Sequence, residues 1–578
     1  MLKRFFISVL GTITGIWIFI IIFFVAMMFG LVSLLTSEGS IFSSKSVLYI
    51  DLAGSIVERE YVPTVQDMVF GYETGENLSD IVTSIRLAKD DKDIKGIYIN
   101  CAGSSLGVAS RGEILEALAD FKTSGKWVYA YSDNYTQEDY YVATGADDIY
   151  LNPVGSVDIH GMASTTMFFK NLLDKIGVKA EVVKVGDFKS AVEPYLRTDM
   201  SDSSVLQTRV FLDNIWGDVA GSIAKHQGVQ VADVNMWADS ISLAWSAQQY
   251  VDAKMVTALK YRSEVDDIIR GKLDLDSDDK LPTISPTDYM AEHGNKLGKS
   301  SSKHVAVLYC VGDIVDAGSG GIVGPTVVAQ IQELAEDDDV SGLVLRVNSG
   351  GGSAFASEQI WHALEQFKET GKPFYVSMGD YAASGGYYIS CGADRIYADA
   401  NTLTGSIGIF GLLFNAEELL SDKLGINTQT VETNPGSTML IPFGPLTERQ
   451  HAAMQGYVEN GYDTFVSRVA AGRHMEPAEV RRIGGGRVWD GQSALKLGLV
   501  DQLGDLNTAI SAVAKKCGLD SNKYVCYPKK QLGLFGIVLD GAKAKLGVED
   551  KYLIDAAYLR EIKNMNPVQA RMEPIFIQ

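Results

Sequence analysis

Cysteine and histidine are scarce: 578 residues carry five of the first and seven of the second. The cysteines (Cys101, Cys310, Cys391, Cys517 and Cys526) show neither CxxC nor metal-like spacing, and an odd number cannot all pair within one chain, so a disulfide framework is excluded. Cys101, Cys310 and Cys391 lie in apolar or glycine-containing runs, where a free cysteine is a small buried hydrophobe. Only a Cys517–Cys526 bridge is left open. The histidines lack HxxxH or HxxEH spacing, which gives no support to a zinc site or a Ser-His-Asp triad. Positive charge is short as well: 51 basic against 72 acidic side chains leave a net charge of −21, which repels nucleic acid. No metal or cofactor is expected.

Long apolar runs are concentrated at the start. After Lys3 and Arg4 no charged side chain appears from Phe5 to Ser37. That exceeds the roughly 20 apolar residues needed to cross a bilayer and is longer than the apolar stretch of about 7–15 residues in a cleaved signal peptide. Residues 1–45 therefore read as a cytoplasmic stub, an uncleaved transmembrane anchor and a short linker. The positive-inside rule keeps Lys3 and Arg4 cytoplasmic and puts the bulk of the chain outside.

Such a length is too great for one hydrophobic core, and the chain divides by internal duplication. "DKDIKGIYIN" around Gly96 matches "DDDVSGLVLRVN" around Gly342, and "FKTSGKWVYAYSDNYT" from Phe121 matches "FKETGKPFYVSMGDYA" from Phe367, both at an offset of 246 (342 − 96 and 367 − 121). "YYVATGADDIY" from Tyr140 matches "YYISCGADRIY" from Tyr387. Within each copy, strand patterns (Val47–Ile56, Ile94–Asn100; Val305–Ile314, Gly342–Val347) alternate with helical ones (Ser79–Lys89; Val327–Ala335). This predicts an α/β fold with a mainly parallel, helix-covered sheet in each copy. The first copy spans 46–271 and the second 305–526. The polar stretch 272–304 reads as a linker and 527–578 as a tail.

The second copy holds "NSGGGSAFAS" from Asn348 and "GDYAASGGYYIS" from Gly379. Glycines between a strand and a helix let backbone N–H groups approach a ligand closely, and the helix N-terminus favours negative charge, which is what an oxyanion requires. Ser384, flanked by small residues, is the candidate nucleophile, but a hydroxyl is inert without a base. With no histidine in these motifs, the base is sought among lysines. Lys189, in "KVGDFKSAVEPY" of the first copy, has largely uncharged neighbours. To work near neutral pH a lysine must fall from about 10.4 to about 7–8, which demands burial, with Asp187 and Glu193 turned elsewhere. Opposite Ser384 the first copy has Gln137 or Glu138, and opposite Lys189 the second has Ser437. Each copy thus supplies half of a dyad. Tyr140, Tyr141, Tyr387 and Tyr388 recur in both copies and read as packing, and Gly486–Asp505, with a weak counterpart at Trp245–Ala258, reads as a packing or assembly element.

"ASGGYYIS", "LTGSIGIFG" from Leu403, "FKSAVEPY" and "NSGGGS" together resemble the signal peptide peptidase A (protease IV) family in its long, two-repeat form. The resemblance implies a serine endopeptidase with a Ser/Lys dyad, Ser384 as nucleophile and Lys189 as general base. Ser406 of TGSIG would orient the lysine, and Gly351, Gly352 and Gly385 would serve the oxyanion hole. Gly350 stands where the family often has proline, which loosens that loop. The resemblance further implies a tandem caseinolytic-protease/crotonase-like fold. It implies a dome-like homotetramer on the cytoplasmic membrane and remnant signal peptides as substrates. Two rivals compete: a crotonase-like acyl-CoA enzyme, disfavoured by the anchor, and a catalytically silent membrane scaffold.

Overall fold

The computed structural model describes residues 15, 19, 45–59, 76–293, 303–318, 320–527 and 568–572. Most of the anchor predicted within residues 1–45 lies outside these. Among the described residues no helix is long and apolar enough to cross a membrane.

The first copy forms a six-stranded parallel sheet. Its strands are β1 (Ser46–Gly54), β2 (Ile94–Ser104), β3 (Trp127–Ser132), β4 (Asp148–Leu151), β6 (Ala258–Leu259) and β7 (Thr283–Ile284), in the order β6-β4-β3-β2-β1-β7. The helix Leu78–Ala88 covers it, started by Asn77 accepting from the Asp80 N–H at 2.9 Å and burying Ile81, Val82 and Ile85 on one stripe.

The second copy repeats the plan with β8 (His304–Val311), β11 (Val340–Ser349), β13 (Phe374–Ala383) and β19 (Tyr524–Tyr527). Beside β13 lie β14 (Arg395–Ala398), then β18 (Gln502–Leu503), and also β15 (Leu403–Gly405) and β17 (Val488–Asp490). The central strands are nearly continuous apolar runs, as a sheet buried on both faces requires.

One segment differs from the sequence reading. The polar stretch 272–304 carries β7, paired with β1, and the helix Pro286–His293, whose buried Tyr289 donates to Asp91 at 2.8 Å. It completes the first sheet as β19 completes the second. Its strand is two residues long and hidden among Asp, Ser and Pro. The five cysteines are all free thiols, Cys517 and Cys526 included.

A third, mixed sheet joins the copies in the order β10-β9-β12-β20-β16-β5. Here β5 (Lys179–Lys184) comes from the first copy. From the second come β9 (Ile314–Val315), β10 (Ile322–Val323), β12 (Gly351–Ser353) and β16 (Phe410–Asn415), and from the chain's end β20 (Val568–Arg571). Pairing of β5 with β16, from Lys184 opposite Phe410 to Lys179 opposite Asn415, carries the first copy's chain into the second copy's territory.

Elsewhere apolar residues of the second copy, Ala383, Leu403 and Val488, join the first copy's core, and polar pairs cross beside them. Arg346, fully buried, is paired with Glu58 and with Glu113 at 2.7 Å, both from the first copy. Ser110 donates to Asp380 at 2.6 Å, and Asn401 to Asp218 at 2.9 Å. Burial first, and then the charges of Asp218 and Asp380, push the Asp399 carboxyl up to about 7. A carboxyl raised in the folded state contributes stability that is present below its unfolded value near 3.9 and lost as pH rises through about 7. Asp399→Asn should therefore reduce, by a few degrees, the fall in Tm between pH 6 and pH 9. Thermal melts of both proteins at the two pH values check this, and an unchanged difference contradicts it.

Candidate active site

β13 ends at Ala383, and the chain turns at Ser384 into the short helix Gly385–Ser390. Ser384 adopts φ 54°, ψ −112°, a conformation that side-chain-bearing residues rarely take. The turn is held from two sides: the Ser384 N–H donates to the Gly405 carbonyl at 2.8 Å, and the Ser384 carbonyl accepts from Tyr388 N–H at 2.8 Å. Small neighbours are required, because a Cβ on Gly386 would come within 2.6 Å of the Ser349 carbonyl. Ser406, just after β15, is the neighbouring residue with a positive φ, 50°, and its N–H donates to the Arg487 carbonyl at 2.7 Å.

Lys189 follows β5 and precedes the 3-10 turn Ser190–Val192. Its Nζ donates to Ser384 Oγ at 2.9 Å, to Ser406 Oγ at 3.0 Å and to the Ser406 carbonyl at 3.3 Å. All three residues are completely buried, and the Phe410 ring centre lies 5.9 Å from the amine. Glu193 does turn elsewhere: its carboxylate accepts from the Ser201 N–H at 3.0 Å and the Ser201 hydroxyl at 2.5 Å, at the start of the helix Asp202–Gln227. Asp187 is exposed.

The glycine loop crosses close by. Gly351 (φ 104°) and Gly352 (φ 152°) both lie in the left-handed region, and a Cβ on Gly351 would meet the Gly385 nitrogen at 2.7 Å. The Gly351 N–H donates to Ser349 Oγ at 3.1 Å. Ser384, Lys189 and Ser406 are thus joined by hydrogen bonds, Gly351 packs on Gly385 beside them, and Gly352 packs on Ile314.

A family model, peptidase family S49, matches residues 120–275 and 366–520, one stretch in each copy. The chain belongs to peptidase family S49. As an S49 member it is a serine protease, which displaces both rivals, the acyl-CoA enzyme and the silent scaffold. It is 36% identical to Protease 4 of Haemophilus influenzae over 444 residues, covering 75% of this chain and 72% of that one. It is 34% identical to Protease 4 of Salmonella typhi over 491 residues, covering 82% and 78%. Among solved structures, a ClpP1 mutant from Listeria monocytogenes aligns with 35% of this chain and 93% of its own, at 13% identity and a TM-score of 0.25.

The two S49 copies differ at the candidate dyad. Tyr140 and Tyr387 make equivalent buried bonds, to the Met255 carbonyl at 2.7 Å and the Leu499 carbonyl at 2.9 Å, which fixes Gln137 as the counterpart of Ser384. Gln137 is spent on backbone: its amide donates to the Gly161 carbonyl, and its oxygen accepts from His160 and Gly161 N–H. Ser437, the counterpart of Lys189, is exposed in a turn.

Sequence reasoning overlooked what supports Lys189. The run Gly484-Gly485-Gly486 lies against its backbone: the Phe188 N–H donates to the Gly485 carbonyl at 3.1 Å, and a Cβ on Gly486 would fall 2.6 Å from Lys189 Cα. Three successive glycines were the available signal. Gln207 also anchors this stretch, donating to Ser190 Oγ at 2.8 Å and accepting from Val488 N–H at 3.1 Å. Nothing in the periodicity of its helix marks it.

Proposed function

We propose that this S49 peptidase is a membrane-anchored endopeptidase that cuts apolar peptides, remnant signal peptides among them, through a Ser384/Lys189 dyad. The observation that carries it is the 2.9 Å approach of Lys189 Nζ to Ser384 Oγ in a water-excluded site built from both copies. Burial disfavours the ammonium form, so the amine is available to accept the serine proton. Ser384 Oγ then adds to the scissile carbonyl, and the developing oxyanion is met by backbone N–H groups of Gly385 and of the Gly351–Gly352 loop, the Gly351 N–H turning to it from Ser349 Oγ. The protonated amine returns its proton to the leaving nitrogen, and water releases the acyl group by the reverse sequence. Ser406 Oγ orients the amine. The apolar run Phe5–Leu35 supports an anchor in a cytoplasmic membrane with the two copies, 46–271 and 305–526, outside it and assembled as a tetramer on a caseinolytic-protease-like fold.

A fluorophosphonate probe tests the reading: labelling of the wild type that is lost in Ser384→Ala supports it, and equal labelling of both ends it. Ser406→Ala should lower kcat roughly tenfold to a hundredfold with KM nearly unchanged, the worth of a hydrogen bond to a charged or ionising group. Steady-state kinetics on a peptide substrate check it; an unaltered kcat removes Ser406 from the site.

A further inference from the structure

The first copy keeps a cavity at the place where the second holds its serine. About 320 Å³ in volume, it is lined by Ser105, Leu106, Gln137 and Glu138 of the first copy and by Tyr381 and Asn401 of the second. Ser105 and Leu106 stand 246 residues before Gly351 and Gly352 (351 − 105 and 352 − 106), and Glu138 follows Gln137 as Gly385 follows Ser384. Side chains thus replace the bare backbone of the glycine loop, and the space in front of them remains a cavity. Its volume lies at the small end of ligand pockets, with room for a side chain or two.

The polar part of the lining favours a cation. Arg111, 3% exposed, is faced by the carboxylates of Asp139, Glu138 and Asp380, one positive charge against three negative. Asp139 accepts from the Gly103 N–H at 2.7 Å, and Asp380 from the Ser110 N–H and hydroxyl at 3.0 and 2.6 Å. Glu138, half-buried, has no hydrogen-bond or ion-pair partner among the described residues. Asn401, 5% exposed, donates its amide to Asp218 at 2.9 Å, which fixes the orientation of the group and leaves its Oδ1 buried and unpartnered among the described residues. Two acceptors without donors, one of them a carboxylate, match a positively charged group with several N–H bonds, and an arginine guanidinium is such a group. Among the described residues no three Asp, Glu, Cys or His side chains come together so as to hold a metal ion, so the fit is to an organic cation. Arg111 Nε, likewise buried without a partner, matches a carbonyl of the same peptide, and Leu106, Tyr141, Met162 and Val219 offer an apolar wall to the stem or to a neighbouring residue.

The cavity and the nucleophile share one ladder. β13 and β15 pair with Tyr381 opposite Leu403, both at the cavity, and with Ala383 opposite Gly405 at the Ser384 turn. Three residues of strand, about 10 Å, separate Tyr381 from Ser384, a span that three residues of extended peptide also cover. We propose that the silent site of the first copy is a recognition pocket for a basic side chain, arginine above all, carried beside the apolar stretch of a peptide that is cut at Ser384. The inference rests on the Ser384/Lys189 reading. It makes the preferred substrate a peptide whose positive charge adjoins its apolar run, the order found in a secretory signal peptide.

Steady-state kinetics of the full chain on two apolar peptides, identical except for an arginine or its neutral isostere citrulline beside the apolar run, test this. The wild type should show a KM about tenfold lower for the arginine peptide at equal kcat, the scale of one charge-assisted hydrogen bond. Glu138→Gln should bring the two KM values together by raising only that of the arginine peptide, and Glu138→Arg should reverse the preference. Asp278→Asn, which removes an exposed charge outside the cavity, should keep the tenfold ratio and so separates the pocket from the pull of the chain's net charge. Equal KM values in the wild type, or a ratio that Glu138→Gln leaves intact, overturn the pocket while the dyad stands; a rise in both KM values marks a structural role for Glu138 and overturns it as well. If the wild type cuts neither peptide the dyad reading falls, and binding of the fluorescently labelled peptides, read by anisotropy, still decides the pocket by the same ratio.

Discussion

Lys189→Met is expected to lower kcat/KM for peptide hydrolysis by about 10⁴-fold while leaving Tm unchanged or raised, because general-base catalysis is worth up to about that factor. Methionine fills a similar volume without the amine, so the fully buried site stays packed. It removes the bonds to Ser384 Oγ and Ser406 Oγ, whose loss costs about 1 kcal/mol each. Against this stands the cost of holding an amine in a fully buried site, roughly several kcal/mol. The second term is the larger, which sets the sign on Tm. Lys189→Arg separates a base from a fixed positive charge. Guanidinium does not deprotonate in proteins, so arginine should be as silent as methionine. Wild-type kcat/KM should climb with pH, since only the neutral amine accepts a proton. Substantial activity in Lys189→Arg, or an acid optimum, would mean that the proton goes elsewhere.

Much of this arrangement was written in local patterns. The constant offset of 246 gave two α/β units, and strands such as Ile94–Ser104 and Val340–Ser349 extend the predicted apolar runs by only a few residues. The division of the proposed dyad between copies followed from comparing Ser384 with Gln137 and Lys189 with Ser437. What local pattern cannot carry is pairing between distant segments. β5 is half-exposed and unremarkable in composition, yet its ladder with β16 is what delivers Lys189 to Ser384. β20 is four residues of mixed character, with no period to read, and its place is set by the groove it enters. β7, two residues long in a polar stretch, is recognisable only once β1 offers it an edge. Buried charges follow the same rule, since Arg346 in an apolar strand makes sense only beside Glu58 and Glu113 of the other copy.

The backbone at Ser384 gives the second large effect a signature that a purely chemical knockout lacks. Ser384→Gly and Ser384→Ala should each reduce kcat by about 10⁵–10⁶-fold, the scale on which removal of an activated serine is felt. Their stabilities should diverge. At φ 54° and ψ −112° a residue with a Cβ bears a conformational cost of about 1–3 kcal/mol, from which glycine is exempt. Alanine retains the Cβ and hence the strain. Ser384→Gly should therefore be more stable to urea than Ser384→Ala by about 1 kcal/mol, after glycine's greater unfolded-state entropy has taken back part of the relief. The Ser384 N–H bond to Gly405 survives in both variants and holds the turn. Equilibrium unfolding of the pair reads the difference directly. A glycine variant less stable than the alanine one would show that the turn is relaxed, and the direction of Oγ toward Lys189 would then owe nothing to stored strain.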